Sequence, residues 1–527
     1  MNRNDFDLSV YLVTDSGMVP DGLTFLGQVE AAIRGGVTCV QLREKDIETK
    51  DFIDRAKAVK ELTDAANIPL IIDDRLDVAL AVGANLHIGQ DDMDASIARE
   101  LLGEDKILGV SVSTVEETKK AIDDGADYVG IGLCFSTNTK VTKKIPKGPR
   151  GAQPLLRAIY EKGSDMKTCL IGGINQSNVS RVRYQSGIPQ KRLDGVAVVS
   201  AIMAQNDAFK AAKDLVTGWN STPQWCTVIG GKRPEISGLL NHPLIHHITN
   251  NVVKNFSANV TLAIGASPIM SECIEEFDEL AAIAGGLVLN SGEISQDNVP
   301  LYTSALQAYN KHNKPIVYDP VGCSASTFRS NFTQMILVEG YLTVIKGNQD
   351  EILTAAGAIL GTSGGVDSVS RLGMVELLDI AKKFALSTRS IVVVTGEKDL
   401  VVDGVFEGQT DLVDCHIGQQ KFQFISGGSP MMTQVTGTGC SLGSVICAFV
   451  AAYRDHPFEA TVSACSLYKK AGTVAGKLAT FKGPGTFQYL FLDALNQYSS
   501  GVDTEDADIE SGQSDEESER TDESILY

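Results

Sequence analysis

Gln41-Leu42-Arg43-Glu44-Lys45 is the first group of residues whose types and spacing suggest chemistry. Alternate residues of an extended strand point the same way, so Gln41, Arg43 and Lys45 share a face, and two cations aimed at one place call for an anion. Acids follow at Asp73-Asp74 and Gln90-Asp91-Asp92. Hard oxygen ligands on neighbouring strands suit magnesium, which commonly takes one or two protein carboxylates plus substrate phosphates; the plainer alternative is that these acids cap helices. Ser111 ends a further apolar run, and Ser136-Thr137-Asn138-Thr139-Lys140 follows another. Residues 140–150 contain Lys140, Lys143, Lys144, Lys147 and Arg150 without an acid, a composition suited either to closing over a polyphosphate or to a solvated loop. Gly172-Gly173 and Val199-Ser200 each precede a helix-compatible segment, where backbone N–H groups and the helix dipole favour a phosphate. Two anions are therefore expected in this half, one a metal-bound polyphosphate and one a monophosphate.

A second set lies beyond residue 237. Gly437-Thr438-Gly439-Cys440 precedes the apolar helical stretch Leu442 to Tyr453. Successive N–H groups at such a helix start form an anion hole for a transferring phosphoryl group. A thiol at Cys440 would feel the positive end of the dipole and be expected to ionise more readily, which would make it a base for deprotonating an alcohol; a buried structural cysteine is the plain alternative. Asp319-Pro320-Val321-Gly322, Lys346-Gly347-Asn348 with Glu351, and Thr395-Gly396-Glu397 end three strand candidates and favour the catalytic reading. No Walker A sequence occurs, so a P-loop kinase is not supported. His246-His247 reads as core packing rather than a metal site.

These groups need elements to hold them. Eight short β-branched runs, beginning near Val10, Cys39, Leu70, Leu86, Ile107, Tyr128, Cys169 and Gly195, alternate with helix-compatible stretches such as Leu26 to Gly35. Eight strand–helix repeats predict a (β/α)8 TIM barrel with its site at the carboxyl ends of the strands. From about 237 to 498, longer helical segments separate strands at Leu287 to Asn290, Ile316 to Asp319, Leu342 to Lys346, Ile391 to Thr395 and Leu400 to Val402, as in a mainly parallel open α/β sheet. The expected division is a barrel at 1–220, a linker at 221–237, an α/β domain at 238–498 and a disordered acidic tail at 499–527. Trp219 and Trp225 are expected to pack between the domains.

The chain has 527 residues, 43% hydrophobic and 21% charged, with a formal charge of −20. That length and composition can bury two large cores and exclude collagen, coiled coil or wholesale disorder. Residues 501–527 hold eleven acids and one base, Arg520, so half the net charge belongs to the tail. An acidic body argues against nucleic-acid or anionic-membrane partners. Ten cysteines without a CxxC pair fit reduced thiols, and no signal peptide or membrane span is read, so a cytoplasmic enzyme is expected.

In order, "QLREK", "DDR", "HIGQDDM", "GVSVST", "YVGIG", "STNTK", "IGGI" and "GVAVVS" resemble the thiamine-phosphate synthase family across residues 8–215. The resemblance implies that a pyrimidine diphosphate is bound by Gln41, Leu42, Arg43, Glu44, Lys45, Asp73 and Lys140, with Ser111 near its pyrophosphate and magnesium on Asp74 and Asp92. It further implies a thiazole phosphate held by Thr137, Asn138, Thr139, Gly173, Val199 and Ser200. Asp73 departs from the asparagine common there, and Ser136 stands where many members have proline. Residues 240–490, from "HHITNNVVKNFSANVTLAIGASPIM" through "DPVG" and "GTGC" to "KGPGTFQ", resemble hydroxyethylthiazole kinases, a ribokinase-like α/β fold. That likeness implies Met270 and Gly437 at the thiazole, Lys346 and Thr395 at ATP, Asp319 and Glu351 supporting magnesium, and Cys440 as catalytic base. Lys346 stands where some relatives carry arginine, replacing a bidentate grip by a point charge.

Together the halves resemble the fungal bifunctional family of thiamine synthesis: ATP-dependent phosphorylation of hydroxyethylthiazole, then condensation with pyrimidine diphosphate to thiamine phosphate. Relatives of the two halves form trimers and dimers, so a homo-oligomer is implied, and a hexamer would reconcile both. Two rivals stand: the same folds acting on other metabolites, and a sensor or scaffold that binds these phosphates without turnover, for which a base such as Cys440 would be superfluous.

Overall fold

The computed structural model describes residues 3, 5–137, 145–223, 239, 241–357, 372–406, 412, 420–499 and 509–511. The chain forms two compact units.

In the first, eight parallel strands close into a barrel in sequential order: β1 (Val10–Val13), β2 (Cys39–Leu42), β3 (Leu70–Asp73), β4 (Asn85–Ile88), β5 (Leu108–Val112), β6 (Tyr128–Gly132), β7 (Lys167–Ile171) and β8 (Gly195–Val198). The pleat divides each strand between two cores. Tyr11, Val13, Cys39, Ile71, Tyr128, Cys169 and Ala197 fill the barrel interior. Val10, Leu12, Val40, Leu42, Ile72, Leu86 and Ile88 face the surrounding helices, where Val29, Phe52 and Ala98 meet them. Helix starts carry the caps their sequence offers: Thr114 and Glu117 form a reciprocal capping box on Val115–Asp123. Each helix returns the chain to the amino end of the next strand, so every strand delivers its last residues to one face.

Trp219 ends the helix Ala208–Asn220 and is buried in the barrel's own outer core, with Arg183 over its ring. Its expected place between domains is thus corrected: α-helical spacing from Ala212 and Leu215 puts it on the barrel-facing stripe. Trp225 lies outside the described residues.

In the second unit, a nine-stranded sheet runs in the order β10-β9-β11-β12-β13-β14-β15-β16-β17. Its members are β9 (Leu244–Ile248), β10 (Ser267–Ile269), β11 (Gly286–Asn290), β12 (Ile316–Asp319), β13 (Val344–Asn348), β14 (Ile391–Thr395), β15 (Asp399–Val402), β16 (Phe422–Ile425) and β17 (Ile509–Ser511). β10 through β14 are parallel, and the remaining pairs are antiparallel. The helix Thr438–Ala452, apolar along nearly its whole length, shares a core with Val288 and Val317 of the sheet through Leu442, Val445, Ile446 and Phe449. Its first turn consequently reaches the carboxyl ends of β11 to β13, the side where open parallel sheets bind ligands.

Four strands were absent from the sequence expectation: β9, β10, β16 and β17. β9 carries two histidines and β10 a proline, both weak strand signals. Of the acidic tail, Ile509–Ser511 pairs with β16. The eight described cysteines are free. No helix among the described residues is long and apolar enough to cross a membrane.

Candidate functional site

A cavity of about 1160 Å³ opens at the carboxyl ends of the barrel strands. β2 and the residues that follow it supply Gln41, Arg43 and Lys45 to its wall, and the last residue of β3 and the turn after it supply Asp73 and Asp74. Two consecutive residues can face one cavity because Asp74 takes a left-handed φ of 62°, which breaks the strand alternation and which Asp tolerates better than most side chains. Lys45 Nζ binds Asp74 Oδ2 and lies 3.3 Å from Asp73 Oδ2. Arg43 bridges Asp73 Oδ2 and Asp15 Oδ2, each at 3.6 Å.

These charges shift one another. Burial, aided by neighbouring Asp74, pushes the Asp73 carboxyl up to about 6. Burial also raises Asp74, but hydrogen bonds with Lys45 and Asp92 outweigh it and hold Asp74 below the usual carboxylate range. Asp92 is pushed up by burial and by its hydrogen bond with Asp74, while Gly89 N donates to its Oδ2 at 2.7 Å. Two carboxyl groups close enough to share a proton are equally placed to share a cation, and a pair of acids beside Arg43 and Lys45, both already ion-paired with carboxylates of the same wall, fits a magnesium diphosphate better than a bare metal. No cluster of three or more His, Cys, Asp or Glu suited to a metal occurs among the described residues.

The opposite arc of the wall is polar but uncharged. Ser136, Thr137, Gly172, Gly173, Val199 and Ser200 line it. Gly172 and Gly173 adopt φ of 110° and 62°, and a Cβ on Gly173 would stand 2.6 Å from the Ser136 carbonyl; only glycine lets these two loops meet here.

The structure divides the sequence-predicted residues. Gln41, Arg43, Lys45, Asp73, Asp74, Asp92, Ser111, Thr137, Gly173, Val199 and Ser200 share the cavity. Leu42 sits in the outer core, and Glu44 accepts hydrogen bonds from Ser16 and Arg55, so their side chains point elsewhere, as the same alternation requires. Asn138, Thr139, Lys140, Lys143 and Lys144 lie outside the described residues. Lys147 donates to the Ser113 carbonyl and, like Arg150, does not line the cavity. Tyr11, Tyr128 and His87 were missed: His87 Nε2 lies 2.9 Å from Ser111 Oγ, and burial lowers its pKa to about 4. Rings at inward positions of β1, β4 and β6 were the available signal.

The second unit gathers its residues at the ends of β11, β12 and β13. Lys346 Nζ lies 2.9 Å from Asp319 Oδ2 and donates to the Gly439 carbonyl at 2.9 Å. Asn290 Nδ2 donates to the same Asp319 oxygen at 2.8 Å, and Asn250 Nδ2 donates to Asn290 Oδ1 at 2.9 Å. Asp319 Oδ1 is buried without a hydrogen-bond partner. An orphan carboxylate oxygen is costly, and one beside a helix start fits a cation delivered with a bound polyphosphate. Burial, with Glu351 nearby, pushes Asp319 up to about 6 against the pull of Lys346. Asn250 and Asn290 were not singled out from the sequence, although Asn290 is a polar residue ending an apolar strand, the same signal that found the barrel site.

Cys440 is the third residue of the helix Thr438–Ala452, whose N-cap Gly437 takes a φ of 89°. A Cβ on Gly437 would press against Val253 and Phe256. Burial and Asp319 push the Cys440 thiol up, and only Lys346 and a hydrogen bond with Asn290 oppose them. The direction is opposite to the easier ionisation expected of a thiol at a helix start, because desolvation and a neighbouring carboxylate act against the thiolate.

Glu351 spends both oxygens on backbone amides, Gly322 N at 2.9 Å and Asn348 N at 2.8 Å, the latter in a capping box. It supports the loop after β12. Lys346 is only 3% exposed and is the counter-ion of Asp319. Thr395 ends β14, and the loop after it is pinned by Lys469, whose Nζ donates to the Gly396 and Glu397 carbonyls and pairs with Asp399 at 3.2 Å. Met270 directly follows β10, half-buried. His246 and His247 are buried, bonded to Tyr309 and Ser271 and to Ser444 respectively.

Residues 10–202 match the thiamine monophosphate synthase family and residues 239–500 the hydroxyethylthiazole kinase family. The chain is 40% identical over 515 residues to the "Probable thiamine biosynthetic bifunctional enzyme" of Schizosaccharomyces pombe, covering 94% of this chain and 96% of that one. It is 41% identical to the "Thiamine biosynthetic bifunctional enzyme" of Saccharomyces cerevisiae, with the same coverage. The barrel half alone is 42% identical to the "Thiamine-phosphate synthase" of Clostridium tetani, spanning 42% of this chain and 100% of the relative.

Proposed function

This chain belongs to the family of bifunctional thiamine biosynthetic enzymes, joining a thiamine-phosphate synthase to a hydroxyethylthiazole kinase, and on that footing we propose how its residues divide the two reactions. The observation that carries the synthase assignment is the barrel cavity, charged along one arc and neutral along the other.

Pyrimidine diphosphate would lie along the charged arc. Its methylene C–O bond breaks with the electron pair leaving on the diphosphate oxygen, and the lone pair of the thiazole nitrogen forms the new C–N bond. Arg43 and Lys45 face the departing charge, where fixed cations lower the barrier most. Thr137, Gly173, Val199 and Ser200 would hold the thiazole phosphate by hydroxyl and backbone N–H groups. Magnesium, when held by Asp74 and Asp92, would supply further neutralisation of the diphosphate. No side-chain nucleophile is needed.

In the second unit the alcohol oxygen of hydroxyethylthiazole attacks the terminal phosphoryl group of ATP, the bond from that phosphorus to the bridging oxygen breaks with its electron pair leaving on ADP, and the hydroxyl proton passes to Cys440. Lys346 favours the thiolate that must receive it and Asp319 opposes, so neutralising the open Asp319 Oδ1 tilts the balance toward the base. Gly437, Thr438 and Gly439 offer backbone N–H groups to the transferred phosphoryl group. Met270 would flank the thiazole, and Thr395 the nucleotide.

The test supplies each half-reaction separately to purified protein. Pyrophosphate release from pyrimidine diphosphate with thiazole phosphate, and ATP-dependent phosphorylation of free thiazole, are both expected. Binding of the same ligands with neither turnover would establish the sensor reading instead.

A further inference from the structure

Five buried or half-buried groups cross the barrel floor in one unbroken chain. Gln41 Nε2 lies 2.8 Å from Tyr11 OH, Tyr11 OH 2.8 Å from Tyr128 OH, Tyr128 OH 2.9 Å from His87 Nδ1, and His87 Nε2 2.9 Å from Ser111 Oγ. Both ends line the cavity.

Proton counting gives the chain a direction. An amide nitrogen only donates, so Tyr11 accepts from Gln41 and must place its own proton on Tyr128, its other partner among the described residues. Tyr128, already accepting, must donate to His87 Nδ1; otherwise a buried hydroxyl proton goes unmade, at full desolvation cost. A bare Nδ1 requires the ring's proton on Nε2, which then donates to Ser111 Oγ. Ser111 is left with its own proton free to point into the cavity.

We propose that Tyr11, Tyr128 and His87 are positioning residues of the synthase, forming a one-way hydrogen-bond relay that fixes the Ser111 hydroxyl as a donor to the leaving oxygen of the pyrimidine diphosphate. The inference rests on the synthase reading. No proton is transferred: the hydroxyl shares its proton with the oxygen that takes the electron pair as the C–O bond breaks.

Two strand glycines make room for this chain. A Cβ on Gly109 of β5 would stand 2.1 Å from the Tyr128 ring, and one on Gly130 of β6 would stand 3.3 Å from His87 Cε1. Glycine weakens a strand interior, so its presence beside both rings marks space kept for them.

Nitrogen NMR of the full-length chain carrying isotope-labelled histidine reads the tautomer directly, with His87→Gln assigning the signal. An Nε2–H ring with a bare Nδ1 is expected; an Nδ1–H or doubly protonated ring at neutral pH overturns the direction of the relay. Kinetics then separates positioning from propping. Tyr128→Phe keeps the ring, and should lower synthase kcat about tenfold, the scale of one hydrogen bond to a charged group, with the KM for thiazole phosphate and the kinase rate unchanged. On a Ser111→Ala background the same change should cost at most about twofold, since no hydroxyl remains to orient. Equal losses on both backgrounds overturn the proposal. Absence of synthase turnover in the unaltered protein would instead defeat the synthase reading, while the tautomer still reports on the relay.

Discussion

Lys346 Nζ and Asp319 Oδ2 form a 2.9 Å ion pair sealed from solvent, while the other oxygen of the same carboxylate is left without a partner. One oxygen is fixed by the protein and one is open, so the site has charge in reserve for a ligand. Removing the cation alone would leave the carboxylate buried and uncompensated. Lys346→Met should therefore destabilise the second unit by about 3–5 kcal/mol, read in denaturant unfolding. A loss under about 1 kcal/mol would mean that Asp319 is not held by this pair.

Cys440→Ala removes the proposed proton acceptor and nothing of the barrel. Kinase kcat should fall about 10²- to 10⁴-fold, the range of general-base contributions, while pyrophosphate release by the synthase stays unchanged. Parallel loss of both activities in a folded protein would refute independent sites.

Asp92→Ala should do the reverse. With half of the carboxylate pair gone, the synthase should need about 10-fold or more magnesium for half-maximal rate, and the kinase should not change. A synthase still saturated at the original magnesium concentration would exclude Asp92 as a ligand.

Asp73 yields a pH prediction with a definite sign. Its folded value, about 6, lies above its ordinary 3.8, so the folded state binds the proton more tightly than the unfolded chain. Between these values stability must fall as pH rises. Asp73→Asn, measured by unfolding without ligand or metal, should match the unaltered protein near pH 4 and exceed it by up to about 3 kcal/mol at pH 7. A variant less stable at pH 7 would show that the pairs with Arg43 and Lys45 outweigh burial.

The barrel was legible because its strands are short apolar runs ended by polar residues, and those polar ends, Arg43, Asp74, Asp92 and Ser111 among them, line the candidate cavity. What could not be read was what a side chain meets across the fold. Alternation along β2 already implied that Leu42 and Glu44 turn away from Arg43, yet a contiguous motif hid it. Tyr128 and Gly109 sit on adjacent strands nineteen positions apart, and only their facing explains either. Cys440 was placed correctly at a helix start, but its ionisation depends on burial and on Asp319, brought to it from another strand. In the sheet, β9 was obscured by histidines whose partners, Tyr309 and Ser444, lie far along the chain.

The central claim, that one chain both makes the thiazole phosphate and uses it, is tested most directly by incubating the purified full-length protein with free hydroxyethylthiazole, ATP, pyrimidine diphosphate and magnesium. Thiamine phosphate should form, and omitting ATP should abolish it unless thiazole phosphate is supplied. Failure to form thiamine phosphate from the complete mixture, or formation from free thiazole without ATP, would contradict the account.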